Sequence, residues 1–117
     1  MPPPHPNDKI LSAKPGKVKA MIIAEFAIFP TSEGSSVSRF VKEAIKAVEK
    51  TGLKSVTGGM STVIEAPDIE SLLRAVAAAD ETLVRLGARR IHIDLRVDHR
   101  LDKEATIDSK LRAVRKK

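Results

Sequence analysis

Val18 to Phe29 is the segment that most narrows what this chain can fold into. Val18, Ala20, Ile22, Ala24, Phe26 and Ile28 are all apolar, and of the residues between them only Lys19 and Glu25 are charged. A period of two marks a β-strand, and a strand apolar on both faces belongs in the interior of a sheet. Pro30 closes it, because proline has no amide to give to a ladder.

The rest of the chain supplies partners for that strand. Val37, Phe40, Val41, Ala44, Ile45 and Val48 recur at spacings of three and four, the stripe of an amphipathic helix. Ser35 or Ser36 is placed to cap its start, and Gly52 to end it. Leu53 to Ala66 reads as two strands broken at Gly58-Gly59, the second running Met60 to Ala66. Pro67-Asp68 opens a second helix with Asp68 as N-cap, its stripe being Ile69, Leu72, Leu73, Val76, Leu83 and Leu86, and Gly87 stops it. Arg89 to Asp98 alternates cleanly, with Ile91, Ile93, Leu95 and Val97 on one face and only polar residues on the other, which suits an edge strand. Thr106 to Val114 reads as a short C-terminal helix. The order strand–helix–strand–strand–helix–strand, with right-handed crossovers, is the ferredoxin-like βαββαβ arrangement, an α+β fold with a four-stranded antiparallel sheet and two helices on one face.

That layout leaves the other face of the sheet uncovered. Met21, Ile23, Ala27 and Phe29 are expected to project from it, and a monomer seldom leaves such a patch in water. Self-association through the sheet faces follows as an expectation.

The chain has 117 residues, one domain's worth. Residues 1–17 hold five of the seven prolines and no structural period, and read as a flexible N-terminal extension. Residues 18–117 read as a single domain ending in a basic tail. The formal net charge of +6 is concentrated in these ends, +2 in residues 1–17 and +3 in residues 101–117, so the body is nearly neutral and no nucleic-acid partner is expected. No apolar run approaches the roughly 18 residues of a membrane span. With no cysteine and no signal-like start, a cytoplasmic location is expected.

Residue content excludes several chemistries. The absence of cysteine removes thiolate catalysis, and His5, His92 and His99 form no ligand pair at helical spacing, so neither a metal nor a cofactor is expected. No nucleophile elbow, Walker loop or dinucleotide fingerprint occurs. An RNA-recognition sheet stacks bases on aromatics, yet this chain has three Phe and no Tyr or Trp. An acylphosphatase-type site relies on an Asn and an Arg, and the one Asn, Asn7, is in the N-terminal extension. The chain reads as a non-enzyme with no catalytic residue.

From residue 19 to about 115 the sequence resembles the small thiamine-binding (YkoF-type) ferredoxin-like proteins. The resemblance is carried by Ala24-Glu25 through Pro30 with the Gly34-Ser35-Ser36-Val37-Ser38 helix entry, by Met60-Ser61-Thr62-Val63-Ile64-Glu65-Ala66, and by Arg90 through Ile93 with Asp98-His99-Arg100 and Lys103. Ser61 and Ala66 stand where the family commonly has glycine. The resemblance implies a homotetramer built partly through the sheet faces and a ligand such as thiamine or its hydroxymethylpyrimidine precursor. A flat aminopyrimidine wants acceptors for its amino edge, hydroxyls and apolar walls. Glu25, Ser36, Ser38, Met60, Thr62 and Glu65 supply those types and are the candidate ligand residues. Five of them also have a plainer role: Glu25 pairing with Arg90 or Arg96, Ser36 as a cap, Thr62 as a strand threonine, Glu65 as a solvated strand end, Met60 as core or interface filler. The alternative is a structural or regulatory oligomer taking another metabolite, or an anion at Arg90, Arg96 and Arg100.

Overall fold

The computed structural model describes residues 20–115. The expected extension at 1–17 lies outside them, as do Val18 and Lys19. Four strands and three helices follow in the order β1 (Ile22–Pro30), α1 (Val37–Lys50), β2 (Ser55–Thr57), β3 (Thr62–Ala66), α2 (Ile69–Arg85), β4 (Ile91–His99) and α3 (Ile107–Arg115). The sheet runs β2-β3-β1-β4 and is antiparallel throughout, so the two-sided apolar strand is central and the alternating one is an edge. This is the ferredoxin-like α+β arrangement.

Periodicity decides which side chains meet. Ile22, Ala24, Phe26 and Ile28 point to the helix side, where they pack with Phe40, Ala44 and Val48 of α1, Ile64 of β3, and Leu72, Ala75, Ala79 and Leu83 of α2. The small alanines of α2 let its backbone approach the sheet. Gly52 and Gly87 take φ of 85° and 95° just past the two long helices, the left-handed stop that glycine adopts cheaply.

The cap of α2 is as read. Asp68 is buried and its Oδ1 accepts from the Ser71 N–H at 2.7 Å. Asp68→Ala leaves that amide without its acceptor and is expected to lower stability by about 1 kcal/mol in urea denaturation. An unchanged midpoint would show that solvent satisfies the amide equally well.

Three local expectations change. Ser36 stands at the N-cap of α1, but its hydroxyl makes no capping bond; a 3-10 turn, Gly34–Ser36, leads into the helix instead, and the Ser36 N–H donates to Glu33 C=O at 3.1 Å. The third strand begins at Thr62 rather than Met60, because the Gly58 N–H donates to Ser61 C=O at 2.8 Å and keeps Met60 in the turn. The open face is also less bare than expected. Ile23 is only 7% exposed, because α3 folds back across the sheet and brings Ala105 and Ile107 onto Ile23 and Val63. Ala27 and Phe29 remain half-buried there, with the Phe29 ring stacked on His92 at 4.9 Å between centroids.

The start of α3 shows why it stays in place. Thr106 and Ser109 cap each other: the Ser109 N–H donates to Thr106 Oγ1 at 2.9 Å, and the Thr106 N–H donates to Ser109 Oγ at 3.0 Å. Glu65 reaches from β3 to accept the Ile107 N–H at 2.9 Å, placing a carboxylate at the positive end of the helix. Lys110 on α3 bonds to Asp98 on β4 and, with that bond, holds the Asp98 carboxyl below its ordinary value.

Candidate functional site

A groove on the helix side follows from unequal strand lengths. β1 has nine residues and β3 only five, and their pairing ends at Phe26 opposite Thr62. Beyond it, Ala27 to Pro30 pair with β4 on one side and have no strand on the other. The first half of α1 passes over this missing corner. Its Val37, Val41 and Ile45, one row at spacings of four, are therefore half-buried rather than buried.

The resulting cavity has a volume of about 270 Å³. Its walls are Val37, Val41, Ile45 and Val48 from α1 and Phe26 and Ile28 from β1, and it is closed at one end by the turn from Thr57 to Thr62. Polar groups are few. The Thr57 and Thr62 hydroxyls lie 3.1 Å apart and bond to each other. The third polar element is the strand edge itself. The Thr31 N–H donates to Arg90 C=O on the β4 side at 2.9 Å. Backbone groups alternate sides along an antiparallel strand. The N–H and C=O of Ile28 therefore point towards the groove, where β3 no longer meets them.

The six candidate residues do not form one site. Thr62, 5% exposed, lies within the groove and Met60, 92% exposed, stands at its lip. Ser36 and Ser38 are exposed on either side of Val37 and are not among the residues that line the groove. Glu25 is on the opposite face of the sheet, because its register partner is Val63 and not Thr62. There it accepts from Ser61 Oγ at 3.0 Å and lies 4.0 Å from Arg96. Glu65 shares that face and is engaged with the Ile107 N–H and with Lys54 at 3.7 Å. The row Val37, Val41, Ile45 and the edge of Ile28 were not singled out in the sequence; the row was legible as part of the helix stripe, the edge was not.

Around Arg100 the charges are local. Its Nε and Nη2 each donate to Asp102 at 2.9 Å, which holds the Asp102 carboxyl down at about 2. This pair is exposed and occupies one of the arginines considered for an anion. Among the described residues no group of three His, Cys, Asp or Glu is placed to hold a metal ion, and no helix is long and apolar enough to cross a membrane.

Fold and groove together define a ferredoxin-like α+β domain with a mostly apolar cleft at an open strand edge. The profile of the Thiamine-binding protein family matches residues 24–115, and the chain belongs to that family. It is 40% identical to UPF0045 protein MJ1052 of Methanocaldococcus jannaschii over 93 residues, 80% of this chain and 91% of that one. It is 34% identical to a UPF0045 protein of Methanothermobacter thermautotrophicus over 98 residues, 83% of this chain and 99% of that one. The crystal structure of the Methanocaldococcus protein superposes with a TM-score of 0.73 over 80% of this chain and 94% of that one. Protein TM0486 of Thermotoga maritima, 21% identical, shares the fold with a TM-score of 0.70, over 80% of this chain and 98% of that one.

Proposed function

We propose that this protein binds thiamine or its hydroxymethylpyrimidine precursor without transforming it, and that the groove between α1 and the β2–β3 turn is the receptor. The observation that carries the reading is the unpaired edge of Ile28 inside an apolar cleft. An aminopyrimidine presents a donor beside a ring-nitrogen acceptor, the complement of one residue's C=O and N–H on a strand edge. Two hydrogen bonds to Ile28 would hold the ring as the next strand would have done, between the valine row of α1 and Met60. The Thr57 and Thr62 hydroxyls give further placement.

Size agrees with this. A cavity of about 270 Å³ is just below the usual range for ligand pockets of about 300–1,000 Å³. It takes the pyrimidine and leaves the cationic thiazolium of thiamine towards solvent. Family membership supports the ligand class. The absence of a nucleophile paired with a base in the groove supports binding over catalysis. A homo-oligomer is part of the proposal, since Ala27 and Phe29 remain partly uncovered on the far face.

Titration calorimetry with thiamine and with hydroxymethylpyrimidine is the test. Saturable heat is expected for both, with similar affinity if the pyrimidine edge does the recognising. No heat from either at millimolar ligand would remove the proposal. Heat from thiamine alone would move recognition to the thiazolium and away from Ile28.

A further inference from the structure

We propose that the face of the sheet opposite the groove carries a second ligand site, for an apolar α-amino acid, with its carboxylate held by Arg96, its ammonium by Glu25 and its side chain lodged under α3. The site stands apart from the groove reading, because the sheet lies between the two.

The charges on this face decide the ligand class. The register of β1 against β4 sets Ile23 beside Asp98, Glu25 beside Arg96 and Ala27 beside Asp94. Most charged groups here are already engaged. Asp98 is bonded to Lys110, Asp94 to His92 at 3.2 Å, and Glu65 to the Ile107 N–H at 2.9 Å. Lys54 lies between Glu65 and Asp108. Arg96 differs from all of these. Its side chain is 85% exposed, and among the described residues its ionic neighbour is Glu25 Oε1 at 4.0 Å, too far for a hydrogen bond. Glu25 is fixed through its other oxygen, where Oε2 accepts from Ser61 Oγ at 3.0 Å. A positioned carboxylate oxygen thus stands beside a guanidinium that has no hydrogen bond of its own.

A ligand carrying only an anion would meet Arg96 but lie against the Glu25 carboxylate. One carrying only a cation would lie against Arg96. In either case the like-charge contact offsets the attraction. A zwitterion with both charges on one carbon satisfies both groups. Its carboxylate can take two parallel N–H bonds from the guanidinium. Its ammonium donates to Glu25 Oε1 and to a lone pair of the Ser61 hydroxyl, whose proton is used on Glu25.

The same pair borders a cavity of about 450 Å³ between α3 and the sheet. Ile23 and Val63 of the sheet and Ile107 and Leu111 of α3 supply its apolar walls. Leu111 is 44% exposed, so it is wall and not core. A hydrocarbon side chain reaching from Glu25 and Arg96 into this space covers that apolar surface, which a polar side chain would leave uncompensated.

Titration calorimetry of the full chain with L-leucine is the test, set beside two analogues that each lack one charge. L-Leucine is expected to give saturable heat. Isocaproate, which lacks the ammonium, and isoamylamine, which lacks the carboxylate, are each expected to bind at least tenfold more weakly, as is glycine, which lacks the side chain. Arg96→Gln and Glu25→Gln are each expected to weaken L-leucine at least tenfold with an unchanged melting curve. Val41→Phe, which fills the groove, is expected to leave L-leucine affinity within threefold. No heat from L-leucine or L-phenylalanine at millimolar ligand would overturn the proposal. So would analogues that bind as well as L-leucine, or an Arg96→Gln variant that binds like wild type. Loss of L-leucine binding in Val41→Phe would place the amino acid in the groove and overturn it as well. Thiamine binding is read at Val41 and L-leucine binding at Arg96, so either reading can fail while the other stands.

Discussion

Phe40→Ala is expected to destabilise the domain by about 3–5 kcal/mol, read as a fall in the urea midpoint at unchanged protein concentration. Phe40 is 2% exposed and is among the largest fully buried side chains. It sits on the inward stripe of α1, in the same cluster as Phe26 and Ile64 of the sheet and Leu72 of α2. Truncation there removes a ring from a site where helix and sheet backbones are held apart by their other contacts, so the void cannot close. For a domain of this length total stability is about 5–15 kcal/mol, and the loss takes a large share of it. The melting temperature is expected to fall by roughly 4–8 °C for each kcal/mol. Phe40→Leu retains most of the volume and is expected to lose less than half as much. Equal losses for both variants would mean that the ring's shape, not its volume, is what the core requires. A negligible loss for Phe40→Ala would contradict the packing described for α1.

What was legible in the sequence were signals that act over a few residues. The two-sided alternation of β1 placed it centrally, the polar face of β4 placed it at an edge, and Asp68, Gly52 and Gly87 marked helix ends through bonds and dihedrals that involve only near neighbours. The features that were not legible depend on residues far apart in the chain. Glu65 accepts the Ile107 N–H across 42 positions, and nothing near Glu65 announces that partner. Ile23 looked bare because its cover, Ala105 and Ile107, comes from beyond β4. Glu25 and Thr62 both had suitable chemistry for one ligand, but they are on opposite faces, and that is decided by the register of β1 against β3. The groove is the least local feature of all, since it is the gap left where a nine-residue strand outruns a five-residue neighbour under a helix.

Filling the groove separates the proposed receptor from its rival on the other face. Val41→Phe is expected to weaken thiamine and hydroxymethylpyrimidine binding at least a hundredfold, about 2.7 kcal/mol. Val41 is half-buried on α1 and lines the cavity, so the larger ring enters space that is already empty instead of crowding a packed core. Stability should therefore change little, and an unaltered melting curve without ligand is the control for folding. The same ring occupies the place where the pyrimidine would lie against the edge of Ile28, so the two are mutually exclusive. Glu25→Gln tests the opposite face, where the carboxylate accepts from Ser61 and lies near Arg96. If the groove is the receptor, that change leaves affinity within threefold, because the sheet itself separates Glu25 from the ligand. The reverse pattern, with Val41→Phe binding normally and Glu25→Gln losing affinity, would move the site to the open face around Ala27 and Arg96. Calorimetry on the two variants thus chooses between an uncharged strand edge and a carboxylate as the group that reads the pyrimidine.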